Sequence, residues 1–388
     1  MTTLIHDLDR DCVNSLGIPV DNLTREGAVA RIIDLAKRRD GRARLVSTLN
    51  VDFLVNALGT GFSRARHPEL LETLRRSDLV TADGFPILWL SRIAGRPLPH
   101  RVCGSDLVPQ LANRAAQEGL SIFLLGGGEG IGAKAAQALQ DQNPGLRIAG
   151  TTAPMIHAAG PGLENAEEDD KSLVNAINQS GADILLIGLG NPKQELWFNR
   201  NRHRLDVPVS IGVGGTFSFL VGSVRRAPAW MQRSNLEWVF RMTQDPARLW
   251  RRYALGLFKL AALSAPLLRS RMRQAIAFRL RGRQLQRQPR WHQLWSSRES
   301  ALAAVRLPEL VCREYLEQLV REVQASESRD MLTLLDFSRV RHVALEAHHA
   351  LFTLAELQRL RSGRIVLLGM SAELRHRLAS ARVMDMLQ

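Results

Sequence analysis

The stretch ADILLIGLGNPKQE (residues 182–195) decides the fold. A short, almost uninterrupted apolar run stops at glycines and gives way to a strongly polar turn. Strands that are apolar along their whole length, rather than alternating, are buried on both faces, which is the habit of parallel sheets. The same grammar recurs on either side. ARLVSTL (43–49) ends in polar residues, SIFLL (121–125) runs into GGGEG with a helix pattern from Ala135 onward, and VPVSIGV (207–213) runs into GGTF. From about Asn14 to Pro208 the chain therefore predicts an α/β fold, a Rossmann-like, mainly parallel sheet with helices on both faces. Ligands of such sheets bind beyond the carboxyl ends of the strands. Thr48, Asn50, Gly126–Gly130, Asn191–Glu195 and Gly214–Phe217 are expected on one rim.

Beyond Arg225 the texture changes. RRAPAWMQRSNLEWVFRMTQDPARLWRRY is rich in Arg and Trp, and Pro246 is expected to separate two helices. From Pro246 to Arg298 there is no Asp or Glu, although the 388-residue chain as a whole is 23% charged. RSRMRQAIAFRLRGRQLQRQPR (269–290) interleaves arginines with apolar residues, the pattern of a basic amphipathic helix. The net charge of +14 points to an anionic partner: nucleic acid, an anionic lipid surface or a diphosphate. The longest apolar run, Tyr253–Leu268, is too short to span a bilayer and contains Lys259. The first residues carry acids and no apolar core, unlike a signal peptide. Three widely spaced cysteines suit a reducing compartment, and neither they nor the adjacent His348 and His349 have metal-ligand spacing. No metal and no cofactor is expected. A second small α/β module is read near Ser300, with strands at Leu332–Phe337 and Arg364–Gly369 and helices at Leu345–Leu360 and Ala372–Ser380. The expected divisions are 14–224, 225–290 and 300–388, with Gln286–Pro289 in a linker.

Several of these turns offer chemistry. Asp83, in LVTADGFPI, is an Asp-Gly turn by spacing, and equally a carboxylate able to take a proton from an attacking hydroxyl. Thr48 and Asn50 are either strand-ending turn residues or contacts to a sugar or phosphate. In LLGGGEGIGAKAA, Gly126, Gly127, Gly128 and Gly130 let backbone amides approach a diphosphate at a helix N-terminus. The fingerprint of a dinucleotide site is incomplete, with Ile131 where one register needs a glycine and no ribose-binding acid downstream, so a nucleoside diphosphate fits better than NAD. Gly214 and Gly215 open a similar turn, and Gln194 stands in another. Arg241, Arg248 and Arg251 are spaced by seven and three, suited to holding a diphosphate or to a solvated basic face.

In order, STLNVDFLVNA, TADGFPILW, RVCGSDLV, LLGGGEG, IGLGNPKQELW, GVGGTFSFLVG and RRAPAWMQRSNLEWVFRMTQDPARLWRRY resemble the WecG/TagA/CpsF glycosyltransferases over residues 14–255. The resemblance implies inverting, metal-independent transfer from a UDP-sugar to an undecaprenyl-diphosphate-linked sugar, in the synthesis of an exopolysaccharide or another cell-surface polymer. It makes Asp83 the general base, puts Thr48, Asn50 and Gln194 in the active-site pocket, and puts Arg241, Arg248 and Arg251 on an appendage that closes over the lipid diphosphate at the membrane. The implied place is cytoplasmic, peripherally attached to the inner face of the cell membrane through an anionic surface. Asn235 departs from the family, which often has Gly there. TLLDFSRVRHV and GRIVLLGMSAELRHRLASARVMDML resemble a STAS domain. The turn that carries a phosphorylated Ser in regulatory members reads VALEAHHA here, without Ser or Thr, which implies protein docking rather than a phospho-switch. Two other readings stand beside this one. Nucleic-acid binding is allowed by the charge but opposed by its concentration in one Trp-bearing apolar segment, so no nucleic-acid partner is expected. A scaffold with a decayed catalytic domain is opposed by the intact polar turns.

Overall fold

A computed structural model describes residues 10–59, 66–157, 166–224, 226–228, 230–231, 234, 236–285, 293–297, 302–325, 332–344, 347–348, 350–351, 353–355, 364–380 and 384. The chain opens with a hairpin, β1 (Cys12–Ser15) and β2 (Ile18–Asp21), closed by Leu16 and Gly17, both at positive φ. Two such residues give a turn whose twist matches that of the paired strands. The Asp21 carboxylate accepts the backbone N–H of Val80, fastening the hairpin to the main sheet.

That sheet is built as the periodicity predicts. Its strands are β3 (Arg44–Leu49), β4 (Leu79–Ala82), β5 (Ser121–Gly126), β6 (Arg147–Thr152), β7 (Ile184–Gly188) and β8 (Val209–Gly212), in spatial order β4-β3-β8-β7-β5-β6. Every pairing is parallel. β3, β4, β5 and β8 are buried along their whole length, whereas the edge strand β6 is half-exposed. Helices α1 (Arg25–Ala36), α2 (Val51–Ala57), α3 (Pro68–Arg75), α4 (Phe85–Ile93), α5 (Gly104–Gln117), α6 (Ile131–Gln142), α7 (Ala166–Gln179), α8 (Lys193–Asn201) and the short α9 (Thr216–Leu220) connect the strands. One apolar cluster packs α1, α5 and α6 onto the sheet through Ile32, Leu111 and Leu139, and another packs α7 and α8 through Ile177 and Trp197. Helices thus cover both faces, and every strand points its carboxyl end to the same rim.

After the sheet come α10 (Glu237–Gln244) and α11 (Pro246–Leu285). Pro246 does open a new helix, as expected from the sequence, because proline's fixed φ and missing N–H suit a helix's first turn. Leu260, Leu263 and Leu267 bury one side of α11, which lies against α2 and α4. Arg271 donates to the carbonyls of Arg92 and Ile93 at the end of α4. Among the described residues no helix is long and apolar enough to cross a membrane.

The C-terminal part is a second α/β sheet. β9 (Gln293–Ser297), β10 (Leu302–Arg306), β12 (Leu332–Asp336) and β14 (Arg364–Leu368) lie in the order β14-β12-β10-β9, parallel except for β9. A two-residue ladder joins β11 (Leu310–Val311) to β13 (His342–Val343), and α12 (Arg313–Ala325) and α13 (Ala372–Ser380) complete the part. Strand β9 extends this sheet N-terminal to the boundary read near Ser300. The Gln286–Pro289 linker and part of the Leu345–Leu360 helix lie outside the described residues.

Candidate active site

Asp83 follows β4 directly. Its N–H donates to the carbonyl of Leu49 at 2.7 Å, which pins the turn to the end of β3, and Gly84 at φ 117 then turns the chain into α4. The carboxyl is half-buried. Burial pushes its pKa up from 3.8 to about 6, opposed by Arg241, Arg101 and a hydrogen bond from Asn50, while Glu237 adds to the rise. Asn50 serves two groups. Its Oδ1 caps α2 by accepting from Asp52 N at 3.0 Å and Phe53 N at 3.4 Å, and its side chain is hydrogen-bonded to Asp83.

Two of the polar residues read as ligands also brace the rim. The buried Thr48 hydroxyl donates to the carbonyl of Gly212 at 2.9 Å, tying β3 to β8. The buried Gln194 amide uses both ends. Its Oε1 accepts from Gly214 N at 3.0 Å and its Nε2 donates to Glu195 Oε1 at 2.7 Å. Gln194 therefore fixes the turn after β8. Glu195 has no exposed surface, and burial raises its pKa to about 8, so it is a neutral acid at pH 7.

The glycines divide by what surrounds them. A side chain on Gly126 would meet the backbone of Gly188 at 2.8 Å, and one on Gly127 would meet the Phe217 ring at 2.8 Å. These two are required for packing. Gly128, Gly130, Gly214 and Gly215 face open space. Gly130, in the left-handed region, begins α6 without any side-chain cap, and although Ile131 N donates to the Gly128 carbonyl at 3.3 Å, the next amides of that first turn face outward as an anion site would need. The four open glycines stand at the ends of β5 and β8, and Asp83 stands at the end of β4.

The arginines divide as well. They do not share one helix: Arg241 lies on α10, and Arg251 lies on α11 and is exposed. The side chain of Arg248 lies outside the described residues, as does Asn235. Arg241 reaches the site. Its guanidinium stacks over the Phe219 ring with 4.7 Å to the centroid and its Nη2 lies 3.2 Å from Glu237 Oε1.

Sequence reasoning missed Arg101 and Glu237. Val102 N donates to the carbonyl of Ala82, which lays RVCGSD beside the end of β4 and brings Arg101 toward Asp83. Arg101 Nη1 meets Glu237 Oε2 at 2.9 Å, and its Nη2 lies 3.7 Å from Asp106. Asp106 is itself bonded to Arg226, and accepts from Cys103 Sγ at 3.1 Å. Burial beside Asp83 pushes the Cys103 thiol up to about 12, so it stays protonated. The i,i+4 spacing of Glu237 and Arg241 was a usable signal. The Arg101 contact had none, being 136 residues away. Together these groups form a carboxylate of raised pKa among guanidinium groups, on the same rim of the sheet as the open glycine turns. Such a site can take a proton from a hydroxyl and stabilise negative charge on a leaving phosphate.

The model of the glycosyl transferase WecG/TagA/CpsF family matches residues 13–276. The chain belongs to that family. It is 30% identical over 192 residues to an N-acetylglucosaminyldiphosphoundecaprenol N-acetyl-beta-D-mannosaminyltransferase of Bacillus spizizenii, covering 50% of this chain and 70% of that protein. Proteins of the same name from Bacillus subtilis strain 168 and Staphylococcus aureus strain MRSA252 are 29% and 28% identical, covering 55% and 63% of this chain and 79% and 90% of their own lengths.

Proposed function

We propose that this chain transfers a sugar from a UDP-sugar to a sugar carried on undecaprenyl diphosphate, with inversion at the anomeric carbon, in the synthesis of an exopolysaccharide or another cell-surface polymer. The observation that carries the reading is the half-buried Asp83, with a pKa of about 6, beside Arg101 and Arg241. The acceptor hydroxyl attacks the anomeric carbon from the face opposite UDP and gives its proton to Asp83. The bond from that carbon to the β-phosphate oxygen breaks, and UDP leaves with the electron pair. Arg241, with Arg248 and Arg251 nearby in the chain, neutralises diphosphate charge. The amides around Gly128, Gly130, Gly214 and Gly215 hold the UDP phosphates, Gly126 and Gly127 keep that cradle in shape, and Thr48 and Gln194 brace the pocket that Asn50 lines.

The relatives named above act, by name, on N-acetylglucosaminyl-diphospho-undecaprenol and transfer N-acetylmannosamine. For this chain the same acceptor is the first to test. Purified protein is given a panel of UDP-sugars with and without that acceptor, and UDP release is followed. Acceptor-dependent release with one donor establishes the reaction, and release with none from folded protein refutes it.

Residues 14–224 form the catalytic unit in this reading, 225–290 the appendage, and 300–388 a STAS-like domain that docks another protein, with β9 as an added edge strand. Trp250, Leu257, Leu268 and Met272 are exposed on α11, and Phe258 is 72% exposed beside them. Spacings of seven and four put Trp250, Leu257 and Ala261 on one face over about 17 Å of helix, and Leu268 and Met272 continue the exposed apolar surface beyond Pro266. This stripe, in a segment without acids, supports peripheral attachment to an anionic cytoplasmic membrane face.

A further inference from the structure

Glu237 stands in a place that the proposed chemistry makes awkward. It is 6% exposed, and its two carboxylate oxygens meet Arg101 at 2.9 Å and Arg241 at 3.2 Å. Those are the two guanidinium groups that act on Asp83. Departure of UDP adds negative charge to a phosphate in this neighbourhood, and a fixed carboxylate clamped on the same cations would oppose it. The other acid near Arg101 does not compete in this way, because Asp106 is already taken by Arg226 and lies within 3.7 Å of Arg25. Glu237 is also the one of the two that sits on a different structural unit from Arg101. It belongs to α10, which follows the sheet, whereas Arg101 follows β4 and α4. Its bond to Arg101 therefore fastens α10 across the site. A carboxylate bridging two guanidinium groups presents two oxygens much as a phosphoryl group does.

We propose that Glu237 is an internal anion that fills a phosphate subsite made by Arg101 and Arg241 in the free protein, and that a substrate diphosphate displaces it. The inference rests on the reading above, since it takes the substrates to be diphosphates. Displacement frees both arginines for the ligand and releases α10 from the rim, so occupation of the subsite and movement of the appendage are one event. In the free protein the contact lowers affinity by the fraction of molecules in which the subsite is already filled. The diphosphate is that of UDP or that of the lipid-linked acceptor.

The test uses the full chain and isothermal titration with UDP, with farnesyl diphosphate and with inorganic pyrophosphate, comparing the natural protein with Glu237→Gln. A subsite filled in about four molecules of five gives about fivefold tighter binding once the charge is gone. Tightening for UDP alone assigns the subsite to the donor, and tightening for farnesyl diphosphate alone assigns it to the acceptor. Tightening for pyrophosphate with either confirms that the phosphates are what is recognised. Equal or weaker binding of all three by Glu237→Gln shows a strut and overturns the inference while leaving the reaction standing. No binding of any ligand by either protein overturns both. Where circular dichroism shows that the Gln variant has lost its fold, Glu237→Asp replaces it. A carboxylate one methylene shorter competes less well, so tighter binding upholds the inference and weaker binding overturns it.

Discussion

Replacing Asp83 with Asn should stop the reaction and make the protein more stable. A carboxyl whose pKa rises from 3.8 in the unfolded chain to about 6 in the folded one is penalised on folding wherever it is ionised. The penalty is absent below about pH 4, grows as pH rises toward 6, and is constant above that. At about 1.4 kcal/mol per pH unit it reaches about 3 kcal/mol, and the remaining contact of this half-buried group with water reduces it to about 2 kcal/mol. Asn carries no charge and escapes it. Urea denaturation followed by tryptophan fluorescence should therefore find Asp83→Asn about 1–2 kcal/mol more stable at pH 7.5, with the gap cut to about a third at pH 4.5. Turnover in the UDP-release assay should fall at least about 100-fold. A variant less stable than the natural protein at pH 7.5, or a gap unchanged between the two pH values, would refute the buried-charge argument. Turnover within about tenfold of normal would refute the assignment of the base.

The same carboxyl should set the acid side of the pH–rate profile. kcat/KM should fall about tenfold per pH unit below about 6. Arg241→Gln should move that limb to higher pH, because Arg241 favours the carboxylate; a limb that stays put in the variant argues against their proximity. Gly126→Ala should destabilise the fold far more than Gly128→Ala, since only the first meets backbone, and Gly128→Ala should weaken UDP binding. Equal loss of stability in the two variants, measured by thermal melting, would contradict the packing described here. Truncation before Ala254 would strip Leu260, Leu263 and Leu267 from the core, so a charge on the exposed stripe is the cleaner probe of membrane attachment. Phe258→Glu with Met272→Glu should abolish flotation with anionic vesicles at unchanged thermal stability, and undiminished flotation would count against the stripe.

The strands that form the middle of the sheet were legible because burial on both faces leaves an unmistakable apolar run, as in β5 and β7. The edge strand β6 (RIAGTT) was not, because a half-exposed strand of mixed residues has no such signature. The β1–β2 hairpin was hidden as well. Its turn places Leu16, rather than Asn or Gly, at positive φ. Strand β9 falls between the expected linker and the expected module because its pairing is supplied by β10, not by its own pattern. At the site, glycines announced turns, but which of them face open space depends on Phe217 and Gly188, far away in the chain. Gln194 and Thr48 drew attention as polar residues at strand ends, and both also hydrogen-bond the scaffold, which local sequence does not show. Arg101 and Glu237 met only through the folded topology, which no local spacing encodes.

The place of β8 in the sheet has a consequence for how the protein comes into being. β8 joins β3 and β4, with Asp83 at the end of β4, to β7, β5 and β6, with Gly128 and Gly130 beyond β5, and itself leads into Gly214 and Gly215. It is the last of the six to be synthesised and only four residues long. A nascent chain that has already made both halves therefore holds Asp83 and the Gly128–Gly130 turn on separate, unsealed pieces. On the ribosome the two halves can be sealed only late, when residues 209–212 emerge between two waiting edges, and Glu237 and Arg241 of α10 join Asp83 later still. Until β8 is in place each half presents an open parallel edge, the kind of surface on which unfinished chains find one another.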